Sequence, residues 1–133
     1  MPAPTNNPVV LVVEDDPPVR GLLDDVLREV GYEVVGVHDV RAALQFIRTI
    51  HVDLVTLDLD LPGLPGSELL RMLQERARAV PPVIIITSDA PVSLGLREQV
   101  QAVLSKPFDV DDLLATIRML LSANEGTEAG TDR

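Results

Sequence analysis

Asp58 closes the apolar-rich run Asp53-Leu54-Val55-Thr56-Leu57 and is followed by Leu59-Asp60-Leu61-Pro62-Gly63. A carboxylate between a strand-like run and a Pro-Gly loop has the placement of a nucleophile at a strand's end. Buried strands of a parallel sheet read as nearly continuous apolar runs, and ligands of open α/β sheets bind just beyond the strands' carboxyl ends. Two further runs end in polar residues: Val9 to Val13 in Glu14-Asp15-Asp16, and Val83 to Ile86 in Thr87-Ser88-Asp89. A short run from Ala102 to Leu104 ends in Ser105-Lys106-Pro107-Phe108. Strands that share one edge would gather the carboxylates of Glu14, Asp15 and Asp58, with the Thr87 hydroxyl and the Lys106 ammonium at the margin.

Such a gathering needs a cation. Two unit charges about 4 Å apart repel by roughly 4 kcal/mol at an effective dielectric near 20, so three carboxylates in one place must hold protons or a metal. An all-oxygen set selects a hard ion, and Mg²⁺ fits because it accepts one or two carboxylates and readily takes phosphate oxygens. Zinc would favour Cys or His. The chain has no Cys, and its two histidines, His38 and His51, are assigned to the surface. Beside Mg²⁺, Asp58 suits covalent attack on phosphorus, since aspartyl phosphates are an established kind of intermediate. Lys106 and Thr87 would then meet the phosphoryl oxygens. Each residue alone has a plainer reading: the acidic triplet as the start of a helix with Asp16 as its cap, Asp58 as a solvated loop residue, Lys106 as a surface charge. Only their joint placement points to phosphoryl chemistry.

The elements that would position these residues alternate along the chain. Strand-like runs and amphipathic segments follow one another, which argues βαβ units joined by right-handed crossovers into a parallel sheet. Five strands and five helices are expected. In the first helix Val19, Leu22, Leu23, Val26, Leu27 and Val30 follow helical spacing, with Asp16 as N-cap, Pro17 at N1 and Gly31 at C′. A strand from Glu33 to Val37 leads through a capping Asp39 to a helix carrying Val40, Ala43, Leu44 and Ile47. A third helix carries Leu69, Leu70, Leu73 and Ala77, and the last begins at Asp109, with Asp112 as a weak capping box, and buries Leu113, Leu114, Ile117, Leu120 and Leu121. From Asp89 to Gln101, Pro91 and Gly95 break the pattern, so the fourth helix is expected to be short or irregular.

Length and charge limit the rest. At 133 residues the chain makes one domain. No apolar stretch approaches the roughly 20 residues that span a bilayer, so no membrane partner is expected. The formal net charge of −10 opposes direct binding to DNA, which needs clustered Lys and Arg. A start that lacks a basic region leading into an apolar core, together with the absence of Cys, points weakly to the cytoplasm.

Taken in order, these residues resemble the receiver domains of bacterial two-component response regulators, the CheY-like family. Val12-Val13-Glu14-Asp15 is similar to the family's acidic pair, Leu57-Asp58 with Leu61-Pro62-Gly63 to its phospho-acceptor loop, Ile86-Thr87 to its hydroxyl position, and Lys106-Pro107-Phe108 to its Lys-Pro ending. The resemblance covers about residues 8 to 121, which makes 9–121 the receiver domain between a disordered segment 1–8 and a flexible tail 122–133. It implies an α/β fold: a doubly wound five-stranded parallel sheet in the flavodoxin-like order 2-1-3-4-5. It also implies phosphotransfer to Asp58 from a histidine kinase or histidine phosphotransfer protein. Mg²⁺ would be held by Glu14 through water, by Asp15 and Asp58, and by the Asp60 backbone carbonyl. Thr87 and Lys106 would stabilise the phosphoryl group, and the Lys106–Pro107 peptide bond would be cis. A protein partner would read a conformational switch on the strand 4 to helix 5 face, with homodimerisation left open. The chain would be no enzyme beyond catalysing its own phosphorylation and dephosphorylation. One departure falls on the output side: Val103 stands where the family usually has an aromatic residue, so the side chain usually coupled to Thr87 at this position is replaced by a small aliphatic one. The stretch from Thr87 to Lys106 is also short.

Other functions fit less of the chain. A phosphorylation-independent binding module on the receiver fold would explain Val103 but not the intact acidic, hydroxyl and lysine set. A phosphatase of the haloacid dehalogenase type would use Asp58-Leu59-Asp60 as its Asp-x-Asp, yet that motif follows the first strand there. A flavodoxin would need a phosphate loop and stacking aromatics that are missing here.

Overall fold

In the computed structural model the described residues are 7–75, 80–88 and 92–131, with side chains described through Ala123. The elements run β1 (Val9–Val13), α1 (Pro17–Glu29), β2 (Glu33–Val37), α2 (Val40–Thr49), β3 (Leu54–Leu57), α3 (Gly66–Gln74), β4 (Val83–Thr87), α4 (Leu94–Arg97), β5 (Ala102–Ser105) and α5 (Val110–Thr131). All pairings are parallel, as the alternating pattern predicts, and the sheet order is β2-β1-β3-β4-β5, as the family resemblance implies. Among the described residues no helix is long and apolar enough to cross a membrane.

Alternation along the strands splits the core between the two faces of the sheet. Val10 and Val12 face one layer with Leu23, Leu27, Leu113 and Ile117 of α1 and α5. Leu11 and Val13 face the other with Val40, Ala43, Ile47, Leu69 and Leu73 of α2 and α3. Strands buried on both faces favour apolar residues at nearly every position, which is why β1 reads as an unbroken Val/Leu run and β4 as a Val/Ile run up to its last residue, Thr87.

Caps set the helix ends. α1 stops in a Schellman motif: Gly31 at φ 102° donates to Arg28 O at 3.0 Å, and Tyr32 N donates to Leu27 O at 3.2 Å. Asp39 accepts from Ala42 N at 2.8 Å, and Asp109 from Asp112 N at 3.0 Å. The α4 helix is a single turn, in keeping with its broken sequence pattern.

Several details depart from the sequence pattern. Asp16 occupies the N-cap position of α1, but its side chain makes no cap hydrogen bond. Leu22 and Val30 are 45% and 46% exposed rather than in the core, because α1 packs on β1 and β2 and β2 is an edge strand. The flanks of its apolar stripe therefore reach solvent. β4 and β5 each run one residue further than expected, to Thr87 and Ser105. At the N-terminal end Pro8 already joins the sheet, its carbonyl accepting from Glu33 N at 2.9 Å. At the other end α5 continues to Thr131, past the boundary expected at residue 121. Extending a formed helix orders one residue for each added hydrogen bond, whereas starting one does not. Ala77, Asp89 and Pro91 lie outside the described residues.

Candidate metal and phosphoryl site

The site is built where the chain reverses its direction of winding, between β1 and β3. Val13 and Leu57 are in register, and Asp58 N donates to Val13 O at 3.0 Å, so Glu14 and Asp58 leave their strands side by side. Glu14 N is held in turn by Val37 O at 3.0 Å. Both carboxylates are buried, Glu14 to 2% and Asp58 to 4% exposure. Asp15 is exposed beside them, and carboxylate oxygens of Glu14, Asp15 and Asp58 lie within 4.8 Å of one another.

Lys106 enters from the end of β5. Its Nζ donates to Glu14 Oε1 at 2.8 Å and to Asp58 Oδ2 at 3.1 Å. The Lys106–Pro107 bond is cis. Asp58 Oδ1 accepts from Asp60 N at 3.0 Å, and Glu14 Oε2 accepts from Asp16 N at 3.2 Å. Both carboxylates thus have one oxygen on the ammonium and one on a backbone amide.

Burial pushes the Glu14 carboxyl above its ordinary range, and the neighbouring Asp58 charge adds to this, against hydrogen bonds from Lys106 and Asp16. For Lys106, burial alone would favour the neutral amine. Its hydrogen bonds to Glu14 and Asp58 outweigh that cost and hold the ammonium above its ordinary range.

An open cavity of about 500 Å³ lies over this cluster, with Asp16, Asp60, Leu61, Pro62 and Ser88 completing its wall. Oxygen donors alone face it from the acidic cluster, so the residues present fit a hard cation and not a thiophilic one. The loop after Asp58 is seated by a close approach. A Cβ added at Gly66, the first residue of α3, would stand 2.8 Å from Asp58 O and 3.2 Å from Leu59 Cα. Only glycine lets α3 begin that close to the Asp58 backbone.

Of the residues singled out in the sequence, Glu14, Asp15, Asp58, Asp60 and Lys106 meet at this cavity. Thr87 ends β4, is 1% exposed, and its carbonyl accepts from Lys106 N at 3.0 Å. Ser88, not Thr87, lines the cavity. Val103 is half-buried on β5, in register with Ile85. His38 and His51 are 69% and 84% exposed and pair with Asp39 and Asp53, away from the cavity. Sequence reasoning missed Ser88, Gly66 and Arg20, whose Nη1 donates to Glu14 O at 2.8 Å. Ser88 could have been found as the second polar residue after the apolar run Val83 to Ile86. Nothing in the local pattern marks the other two.

Comparison with known proteins gives the same architecture. The family model for the response regulator receiver domain matches residues 10–118. The DNA-binding response regulator MtrA of Mycolicibacterium smegmatis is 37% identical over 123 residues, covering 90% of this chain and 53% of that protein. The transcriptional regulatory protein TcrA of Mycobacterium tuberculosis is 38% identical over 114 residues, covering 84% of this chain and 45% of that one. The chain therefore spans about half the length of these relatives. Among solved structures, a signal receiver domain from Vibrio parahaemolyticus superposes with a TM-score of 0.86 at 27% identity, covering 92% of this chain and 96% of that one. A CheY-like receiver domain protein from Methanospirillum hungatei gives 0.83 at 27% identity, covering 92% and 99%. The matched span runs from β1 past Lys106 into α5 and so holds the whole acidic cavity, and the chain belongs to the response regulator receiver domain family.

Proposed function

We propose that Asp58 accepts a phosphoryl group from a histidine kinase or histidine phosphotransfer protein in a Mg²⁺-dependent reaction in the cytoplasm. The observation that carries this reading is the meeting of Glu14, Asp15 and Asp58 oxygens within 4.8 Å at the mouth of a cavity that also receives Lys106. In the transfer an Asp58 oxygen forms a bond to phosphorus as the phosphorus–nitrogen bond of a phosphohistidine breaks. The electron pair of that bond leaves with the imidazole, which takes up a proton. Glu14, Asp15 and Asp58, with the Asp60 backbone carbonyl, would hold Mg²⁺, which supplies charge neutralisation for the phosphoryl oxygens when bound. Lys106 is released from Asp58 and Glu14 to a phosphoryl oxygen, and the Thr87 hydroxyl donates to another.

The product carries about 1.5 to 2 negative charges where the carboxylate carried one. Movement of Thr87 and Lys106 toward it would alter the face from β4 to α5, and a protein partner would read that change. With a formal charge of −10, the output of this chain is contact with protein rather than with DNA directly. A phosphorylation-independent binding role is favoured by one observation, the half-buried Val103 in place of an aromatic residue.

Incubation with acetyl phosphate or phosphoramidate and Mg²⁺ tests the proposal. Mass spectrometry should find one added phosphoryl group on Asp58, stable in acid and labile in base, absent in Asp58→Asn and absent in EDTA. Lys106→Ala should still be labelled but should lose phosphorylation-dependent partner binding. An unlabelled parent chain that binds its partner equally well would establish the second reading.

A further inference from the structure

The loop that presents Glu14 and Asp15 is held in an unusual way. An N-cap side chain normally bonds the N–H of N2 or N3; here Pro18 removes the N2 donor, and the Asp16 side chain makes no cap bond to the N3 amide of Val19 either. Arg20 closes the loop from inside the helix instead. Its backbone N makes the ordinary first helical bond to Asp16 O at 2.9 Å, and its guanidinium Nη1 reaches back to donate to Glu14 O at 2.8 Å. Glu14 N is tied to Val37 O at 3.0 Å, so Arg20 supplies the second anchor of the Glu14 backbone. The side chain reaches that carbonyl by lying across β2 at Gly36, where an added Cβ would stand 3.1 Å from Arg20 Cδ and 3.2 Å from Cγ.

We propose that Arg20, admitted by Gly36, is a positioning residue for the metal-binding acidic pair: it fixes the Glu14 carbonyl and thereby the direction in which Glu14 and Asp15 present their carboxylates. This rests on the reading of that pair as Mg²⁺ ligands. Groups that orient metal ligands from behind are worth roughly 10- to 100-fold in metal affinity.

The sign of the effect separates positioning from charge. Removing a cation near an acidic cluster should tighten Mg²⁺ binding if Arg20 acts only through its field, and weaken it if Arg20 holds the ligands in place. Calorimetric titration of the full chain with MgCl₂ should give a Kd roughly 10-fold higher for Arg20→Ala than for the parent. Arg20→Lys, with the charge but not the fork, should fall between them. Gly36→Ala keeps the arginine but crowds its stem, and should shift the Kd in the same direction by less. Gly21→Ala, whose Cβ would meet nothing within 4 Å, should leave the Kd unchanged. At saturating Mg²⁺ the maximal rate of Asp58 labelling by acetyl phosphate should return to near the parent's in Arg20→Ala, with only the Mg²⁺ requirement raised. Equal or tighter Mg²⁺ binding by both Arg20→Ala and Gly36→Ala overturns the inference and leaves the phosphoacceptor reading standing. A parent chain that takes up no Mg²⁺ overturns that reading, and this one with it.

Discussion

At the scale of single residues the site is a balance between burial and pairing. Burial and the nearby Asp58 charge disfavour the ionised form of Glu14, and Lys106 offsets part of that cost. The folded value of Glu14 lies above the ordinary glutamate range, so over the window between them the folded chain keeps a proton that the unfolded chain releases. Stability from this group therefore falls as pH rises through that window, and the deficit is complete above it. Lys106 behaves oppositely: its raised value contributes stability at neutral pH that is lost only as pH climbs through the alkaline range. In EDTA, Glu14→Gln should melt progressively higher than the parent as pH is raised from the ordinary glutamate range upward. A melting difference that stays flat or shrinks over that range would contradict the balance. The acidic, hydroxyl and lysine residues were legible in the sequence because each sits where an apolar run ends. Arg20 and Gly66 were not, because each acts on a backbone oxygen that only the folded chain brings near.

At the scale of elements, strand runs and helix punctuation were legible because burial on both faces and capping leave local marks. Gly31 and Asp39 are found in the conformations their types foretell. What was not legible was which marks are used. Asp16 and Asp39 look alike in sequence, yet only Asp39 accepts a cap hydrogen bond, from the N3 amide of Ala42, while the Asp16 side chain makes none to the N3 amide of Val19. Asp39→Ala should therefore cost about 1 kcal/mol in denaturant unfolding, while Asp16→Ala should stay within about 0.5 kcal/mol of the parent. Equal losses would mean that the capping geometry does not decide the difference. Leu22 and Val30 fail as core residues for a related reason. Helical spacing reports an apolar stripe, but its usable width depends on how much sheet lies beneath, and α1 sits at the β2 edge.

At the scale of the whole molecule, five parallel strands carry their carboxyl ends to one edge, and the reversal of winding at β1 and β3 places two acidic strand ends next to each other. The fold thus concentrates negative charge in a chain whose formal charge is already −10. Two effects of added MgCl₂ then have to be separated. General screening relieves repulsion across the surface and depends on ionic strength, whereas occupation of the acidic cavity stabilises by mass action, by about 2.7 kcal/mol at a hundredfold excess over Kd. For a domain of this size that corresponds to a melting shift on the order of 10 °C. NaCl at matched ionic strength should raise the melting temperature of the parent and of Asp58→Asn alike. The further rise given by MgCl₂ should be present in the parent and largely lost in Asp58→Asn. If MgCl₂ and NaCl stabilise the parent equally, the charge gathered by the sheet is only a solvated surface, and the concentration of carboxylates at its edge has no cation to answer it.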